Sequence, residues 1–246
     1  MRVILGFLFG GLLFGQSASQ QLLISQKIAA GGASPTFVQA VCSTGLFVGT
    51  NYSLTSFTAT TGNVLYVFFS QGASVGGTVT ASSTSGGSPS GDTFTAINTN
   101  SQTFQNTYDF RAINIHGGAY VITVNSTIGA STGSICAMEF SGLTAFDQNC
   151  VSTSTTAAAC NTSMTPTASP AVIVAGIGDY YRADTFTAGS GYTIPSGGTV
   201  ASGTDGSPGS MAVEYQICSS SCGTAFTPSF GVTGTNYSTV NGGSFK

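Results

Sequence analysis

One run of apolar residues constrains the fold of this chain more than any other feature. Residues 64–69 read Val-Leu-Tyr-Val-Phe-Phe, between the turn signal Gly62-Asn63 and the polar residues Ser70 and Gln71. The run is short and mostly β-branched or aromatic, which favours a buried central β-strand over a helix. A two-layer sandwich covers only one face of each strand. The second face of this strand therefore needs a loop, the segment 20–36 or another molecule to cover it.

The second half of the chain echoes the first. Residues 170–176 form a similar apolar run after a turn, and Asp184-Thr-Phe-Thr-Ala188 repeats Asp92-Thr-Phe-Thr-Ala96 letter for letter. No window shows a 3.6-residue apolar period, so we expect helices to be few and short. The pattern predicts an all-β fold: an antiparallel, jelly-roll-like β-sandwich tied by disulfides. It is built from two quasi-repeated halves, at about 54–143 and 164–245.

The domain organisation follows from the amino terminus and from the absence of a long linker. Residues 1–19 carry one basic residue, an apolar run and small residues before Gln20, which is the pattern of a secretory signal peptide. The apolar run is too short to span a bilayer comfortably, although an uncleaved anchor is the alternative. Residues 20–35 then form a lead-in, and 36–246 a single sandwich domain. We expect a secreted protein, extracellular or on the cell surface.

The charge content excludes two classes of partner. Charged residues make up 5% of the chain, with five basic and eight acidic residues and a net charge of −3. Ordinary soluble domains have about 25% charged residues. Binding to a phosphate backbone or to an anionic membrane needs clustered Lys and Arg. We therefore expect no nucleic-acid partner and no polybasic membrane contact, and no segment after the leader predicts a membrane-spanning helix.

Six cysteines in an exported chain predict three disulfides. Six cysteines allow fifteen pairings, and the spacing favours one of them. Cys218 and Cys222 close a tight loop, and Cys150 and Cys160 bracket a short loop. The remaining pair is Cys42 with Cys136. A metal site is a weaker interpretation of these residues, because the C-x-x-C spacing is absent and His116 is the only histidine.

Four short motifs carry a resemblance to known proteins. They are a Thr-x-Gly-Asn strand start, an Asp-containing turn, a Gly-Gly hairpin and a Glu-x-Ser-Gly strand end, at 60–65, 92–94, 117–124 and 139–143. Through them the chain resembles a loose group of uncharacterised bacterial secreted or cell-surface β-sandwich modules. The resemblance implies a jelly-roll-like sandwich at or outside the cell surface. It carries over no catalytic residue.

The densest functional-looking segment is residues 178–184. It contains Tyr180, Tyr181, Arg182 and Asp184 after a predicted strand. Aromatic rings flanked by planar hydrogen-bonding groups suit a glycan, so these four residues are the candidate ligand-binding site. The simpler interpretation is an ordinary strand end with a local Arg–Asp pair, because isolated surface pairs are weak signals.

Two further hypotheses concern catalysis. Glu139 and Glu214 each lie inside an apolar strand, and two carboxyls on one sheet face would suit a glycosidase. The alternative is that each carboxylate points outward or is capped by hydroxyl and backbone groups. His116 precedes Gly-Gly in a predicted turn and is a candidate acid or base, together with Asp109 and Arg111. A solvated turn residue is the simpler interpretation of this histidine.

We therefore favour a non-catalytic extracellular module for adhesion or glycan binding, with a glycan or a matrix component as its partner. The alternatives are a structural subunit that self-assembles into a matrix or fibre, and a carbohydrate-active enzyme that uses Glu139 and Glu214. We expect no cofactor. Calcium at Asp179, Asp184 or Asp205 is the one exception considered, and no ligand loop of recognised spacing supports it.

Overall fold

The structure is a computed structural model, and Ser34–Lys246 belong to one compact unit. The residues that it describes are 34–43, 47–72, 77–102, 104–128, 131–152, 158–180, 185–201, 210–233 and 237–246. All regular structure in these residues is β, and no helix occurs among them, which confirms the predicted fold class. The predicted signal peptide and nearly all of the predicted lead-in lie outside the described residues.

Eighteen strands are present in the described part of the chain. In chain order they are β1 (Thr36–Cys42), β2 (Phe47–Gly49), β3 (Asn51–Ser53), β4 (Phe57–Ala59), β5 (Val64–Gln71), β6 (Val79–Ser85), β7 (Ser88–Pro89), β8 (Thr95–Ser101), β9 (Asn106–Ile113), β10 (Gly118–Ser126), β11 (Ser131–Ser141), β12 (Phe146–Val151), β13 (Ala171–Asp179), β14 (Phe186–Ala188), β15 (Thr199–Val200), β16 (Ser210–Cys218), β17 (Phe230–Val232) and β18 (Ser238–Phe245).

These strands form four antiparallel sheets. Sheet I has the order β1-β11-β5-β9-β8, with β2 also paired to β11, and sheet II has the order β3-β10-β6-β7, with β4 also paired to β10. Sheet III has the order β12-β18-β13-β16-β15, and sheet IV consists of β14 and β17. The apolar run therefore lies in β5, at the centre of sheet I, where β11 and β9 pair with it on either side.

Both faces of β5 are covered, as the unbroken apolar run predicts. Leu65, Val67 and Phe69 pack in a core with Tyr120 and other residues of sheet II. On the opposite face, Val64, Tyr66 and Phe68 pack in a second core with residues of sheet III, among them Val172 and Val174. The second face is thus covered by another sheet of the same chain, which was not among the three covers that the sequence suggested.

Sheet III is also covered on both faces. Its outer face carries Ile173, Ile177 and Val240, which pack against Met164 and Phe230 in a third core. Loop residues and apolar residues of sheet IV, among them Phe186 and Phe230, cover this face. The described residues thus stack in the order sheet II, sheet I, sheet III, and a layer of loops with sheet IV.

Glycines allow sheets I and III to approach closely. A Cβ atom added to Gly176 of β13 would lie 2.3 Å from the ring of Phe68, and one added to Gly178 would lie 2.3 Å from Oγ of Ser70. Such contacts are far too short for real side chains, so a residue with a Cβ at either position forces the sheets to shift.

An arginine also contacts an aromatic ring at the edge of the same interface. The guanidinium of Arg111 on β9 lies 4.1 Å from the ring centre of Phe146 on β12.

The three predicted disulfides are present, and no described cysteine is free. Cys42 and Cys136 are directly opposite each other on β1 and β11 and are 94 residues apart in sequence. The other two bonds close loops with separations of 10 and 4 residues. Disulfides of this kind are typical of proteins that fold in an oxidising compartment.

The strand order repeats between sheets I and III, although β1 and β12 lie outside the predicted halves at 54–143 and 164–245. Sheet III repeats the neighbour pattern of sheet I, with β12, β18, β13, β16 and β15 in the places of β1, β11, β5, β9 and β8. The jelly-roll label and the duplication stay predictions. Residues 82–91 are all Ser, Thr, Gly or Pro, a composition that predicts a turn region rather than strands. They instead contain the end of β6 and all of β7, joined at Gly86 and Gly87, which both have positive φ.

Candidate functional site

Three aromatic rings meet at one end of sheets I and III. Tyr180 directly follows β13, Tyr237 directly precedes β18, and Phe104 lies in the connection from β8 to β9. The ring centre of Phe104 is 4.7 Å from that of Tyr237 and 5.4 Å from that of Tyr180, and the tyrosine centres are 6.3 Å apart. All three side chains are half-buried. We call Phe104, Tyr180 and Tyr237 the aromatic cluster.

Backbone pairing explains how the cluster forms. Asp179 and Ser238 are opposite each other on β13 and β18, so the next residue outward on β13 meets the one that precedes β18. The N–H of Tyr180 donates to the carbonyl oxygen of Tyr237 at 3.0 Å, which extends the strand pairing by one residue pair. No local sequence pattern marks Phe104 or Tyr237, because only tertiary structure brings them near Tyr180.

The structure describes one of the four predicted ligand-binding residues. Tyr180 belongs to the aromatic cluster, whereas Tyr181, Arg182 and Asp184 lie outside the described residues. Asp205, a candidate calcium ligand, lies outside them as well. Within the described ranges, no three His, Cys, Asp or Glu side chains are close enough to hold a metal ion.

A small open cavity lies between β14 and β15. Its volume is about 220 Å³, and it is lined by Thr185, Phe186, Thr199, Val200 and Ala201. This lining combines one aromatic ring with two hydroxyl groups and carries no charge. Such a surface offers apolar contact and hydrogen bonds to a neutral ligand, but no counter-charge for an ionic one.

Glu139 is a buried structural carboxylate. Its Oε1 accepts hydrogen bonds from the backbone N–H of Thr60 at 2.8 Å and from Nδ2 of Asn63 at 2.6 Å. Its Oε2 accepts a bond from Nε2 of Gln39 at 2.6 Å, and Gln39 also donates to the carbonyl oxygen of Thr58. These bonds tie the turn before β5 to β1 and β11. Both carboxylate oxygens are therefore engaged by neutral donors.

Glu214 is buried in a different layer. Its two oxygens accept the backbone N–H groups of Gly189 at 2.9 Å and Ser229 at 3.1 Å. Burial raises the pKa of this carboxyl to about 7, although the two backbone hydrogen bonds act in the opposite direction. Burial and the nearby negative charge of Glu214 together raise the pKa of Tyr192. Glu214 thus joins the outer loop layer to sheet III.

The structure does not bring Glu139 and Glu214 together. Glu139 is on the same face of β11 as Ile135 and Ala137, which pack in the core between sheets I and II. Glu214 is on the same face of β16 as Ala212, which packs in the core on the outer side of sheet III. Sheets I and III both lie between the two carboxylates, so they do not flank one common bond as a glycosidase pair must.

His116 pairs with Asp92 rather than with the residues that the sequence suggested. The Nδ1 atom of His116 lies 2.6 Å from Oδ1 of Asp92, and the His116 side chain is 67% exposed. Burial alone would raise the pKa of Asp92, but hydrogen bonds from Tyr120, His116 and Ser90 outweigh it and hold the pKa below its usual value. The pair connects the turn after β9 to the segment before β8.

Asp109 lies at the interface of sheets I and III, away from His116. Its Oδ2 accepts bonds from the hydroxyl of Tyr66 at 3.2 Å and from Nδ2 of Asn98 at 3.0 Å. Asn98 also donates to the carbonyl oxygen of Gly242 in sheet III at 3.0 Å, and it accepts a bond from Asn149. Complete burial raises the pKa of Asp109 to about 8, well above its usual range.

Fold and site together define a disulfide-bonded all-β protein of stacked antiparallel sheets, with an aromatic cluster at one end. In the described part of the chain no helix is long and apolar enough to cross a membrane. Comparisons with protein-family models, curated proteins and solved structures gave no significant match.

Proposed function

We propose that this protein is a secreted, non-catalytic β-sandwich module that binds a neutral glycan at or outside the cell surface. The observation that carries the proposal is the aromatic cluster of Phe104, Tyr180 and Tyr237. Half-buried rings offer apolar faces for the C–H groups of a sugar, and tyrosine hydroxyls add hydrogen bonds. The low charge of the chain disfavours ionic ligands and favours a neutral one.

Three features support an extracellular location. The amino-terminal sequence has the pattern of a signal peptide. Three disulfides join cysteines of the compact unit. The four short motifs that resemble those of bacterial surface modules imply the same compartment. Adhesion through glycans of a neighbouring cell or matrix is the role that fits a binding module in this location.

The buried carboxylates do not favour an enzyme. Glu139 accepts three hydrogen bonds from protein donors, Glu214 accepts two, and two sheets separate them. Protein donors thus occupy both oxygens of each carboxylate, and the two groups do not share a site as a glycosidase pair must. A panel of polysaccharides tested for reducing-sugar release addresses this alternative directly, and we expect no release above a heat-denatured control.

A glycan array with the mature protein tests the proposal. We expect binding to neutral glycans that weakens roughly tenfold or more in Tyr180→Ala and Tyr237→Ala, because each loses a stacking face. Tyr237→Phe keeps the ring and is expected to retain most of the binding. Val38→Ala also truncates an exposed apolar side chain, but on β1 and outside the aromatic cluster, so it serves as the control. Absence of binding to every glycan, or equal binding by all variants, contradicts the proposal.

A further inference from the structure

The outer face of sheet II is an ordered surface of short polar side chains. Outward-pointing residues on β3, β6 and β10 are opposite one another across the strands. Thr123 of β10 pairs with Ser53 of β3 and with Ser82 of β6, and Asn125 pairs in the same way with Asn51 and Thr80. The next position, Val121, pairs with Thr84. We call these eight residues the hydroxyl face.

The hydroxyl face carries no charge and no aromatic ring. None of its eight residues is acidic, basic or aromatic, and the five strands of sheet II contain no charged residue at all. All of the eight except Val121 are Ser, Thr or Asn, and their side chains are exposed or half-exposed. The surface therefore presents hydroxyl and amide groups, which both donate and accept hydrogen bonds.

The face is held rigidly from below. Tyr120, Ile122 and Val124 alternate with its residues along β10, and all three are fully buried in the core between sheets I and II. On the surface itself, the hydroxyl oxygens of Ser53 and Thr123 lie 2.8 Å apart and hydrogen-bond to each other. A packed core and this cross-strand bond restrict the side chains, so ordering them on a ligand costs little further entropy.

Strand geometry sets the spacing of the polar groups. Successive outward residues on one strand are about 6.7 Å apart, and neighbouring strands are about 4.8 Å apart. The result is a rectangular net with one longer and one shorter repeat. Sheet twist rotates adjacent strands by about 20–25°, which limits such a net to two or three strands. The hydroxyl face spans three.

Two common occupants fit this face poorly. Three strands and about six residues of length give an area of about 300 Å², whereas a stable interface needs about 800 Å² per partner. Protein interfaces are also depleted in Ser and enriched in aromatic residues, so a second copy of the chain is disfavoured. A sugar polymer stacks on aromatic rings, and the face has none.

We propose that the hydroxyl face adsorbs to crystalline water, that is, to the surface of ice. An ice surface is an uncharged, two-dimensionally regular array of hydrogen-bond donors and acceptors. A rigid net of uncharged hydroxyl and amide groups complements it without the cost of desolvating a charge. An ice surface presents its binding sites in large excess, so by mass action a smaller contact than that of a soluble dimer is sufficient for adsorption. This activity is independent of the aromatic cluster.

Ice recrystallisation in frozen sucrose solution, followed by microscopy, measures the activity. We expect the mature protein at micromolar concentration to keep ice grains small, compared with an equal mass of serum albumin. Ser82→Lys places a charge on an exposed position of the face, and we expect roughly a tenfold loss of activity because the ammonium must be desolvated on ice. Thr187→Lys makes a comparable change at an exposed position of β14 in sheet IV and serves as the control.

Circular dichroism and thermal unfolding of both lysine variants check that the fold is retained, and we expect both variants to be folded. Grain growth equal to that in albumin overturns the proposal, as does an equal loss in Ser82→Lys and Thr187→Lys. A concentration-dependent dimer that Ser82→Lys dissociates assigns the face to a second copy instead. Sedimentation with crystalline cellulose that Ser82→Lys abolishes assigns it to a polysaccharide. Either result also overturns the proposal.

Discussion

At the residue scale, the buried acids of this protein connect parts of the fold that are far apart in the chain. Asp109 joins sheet I to sheet III through Tyr66 and Asn98. Glu139 joins the turn before β5 to the edge of sheet I, and neutral donors satisfy both of its oxygens. Burial of a carboxyl favours the neutral form, and hydrogen bonds to the carboxylate favour the charged form.

The raised pKa of Asp109 predicts that stability falls as the pH rises. Its pKa is about 8 in the folded state and about 3.9 in an unfolded chain. The folded state therefore binds more protons between these values. The contribution of Asp109 to the free energy of unfolding is therefore full below about pH 4. It is lost as the pH rises to about 8, at up to about 1.4 kcal/mol per pH unit.

Replacing Asp109 by asparagine tests this prediction. The amide side chain keeps an acceptor oxygen for Asn98 and Tyr66 but cannot ionise. We expect the free energy of unfolding by urea to decline less between pH 4 and 8 in Asp109→Asn than in the wild type. The raised pKa of Glu214 also makes the protein less stable as the pH rises. The test is therefore the difference in the free energy of unfolding between the variant and the wild type at each pH. Parallel curves for the two proteins contradict the prediction.

Glu139 predicts a second outcome at this scale. Glu139→Ala removes the acceptor of the Thr60 N–H and the Asn63 side chain and one of the two acceptors of Gln39. We expect a loss of roughly 3 kcal/mol in the free energy of unfolding. Glu139→Gln keeps one acceptor oxygen and is expected to lose less. Urea unfolding at pH 7 measures both. If Glu139→Ala is as stable as the wild type, the carboxylate does not have the structural role described.

At the element scale, β5 and β13 are the central strands of two stacked sheets, and their contact depends on size complementarity. Phe68 on β5 packs over Gly176 on β13, and Ser70 lies over Gly178. A large side chain in one sheet thus meets a position without a side chain in the other. The polar pair Thr107 and Thr239, with hydroxyl oxygens 3.0 Å apart, continues this interface toward the aromatic cluster.

This packing predicts that Gly176→Ala destabilises the protein by roughly 1–3 kcal/mol, the usual range for overpacking a core. The added methyl group would meet the ring of Phe68 at 2.3 Å. Gly223→Ala is the matched control, because nothing lies within 4 Å of the added atom. Phe68→Leu combined with Gly176→Ala is expected to recover part of the loss. Thermal unfolding measures all variants, and equal effects at the two glycines contradict the expected contact.

At the scale of the whole molecule, the disulfides differ in how much of the chain they constrain. Cys42–Cys136 closes a loop with a separation of 94 residues, and Cys218–Cys222 one of 4. In the chain-entropy account, a longer closed loop removes more freedom from the unfolded state. The long-range bond ties β1 to β11 across most of the first half of the compact unit.

We therefore expect the Cys42→Ser/Cys136→Ser double variant to lose about 2–5 kcal/mol in stability. The Cys218→Ser/Cys222→Ser double variant is expected to lose less. Guanidinium unfolding of both variants under non-reducing conditions measures the difference. A larger loss in the second variant than in the first would show that local geometry, rather than loop length, dominates.

The sequence by itself determined the fold class, the central strands β5 and β13 and the disulfide partners. Strand period and apolar runs such as 64–69 are local signals that backbone preference expresses. The two closely spaced cysteine pairs are local as well, and they left Cys42 and Cys136 as the third pair. Only the tertiary structure decided that sheet III covers β5, that Glu139 and Glu214 are separated by two sheets, and that Phe104 and Tyr237 meet Tyr180. These relations depend on which sheet faces pack together, and that depends on contacts between residues far apart in the chain. No local pattern encodes such contacts, because burial and shape complementarity exist only once the sheets have stacked.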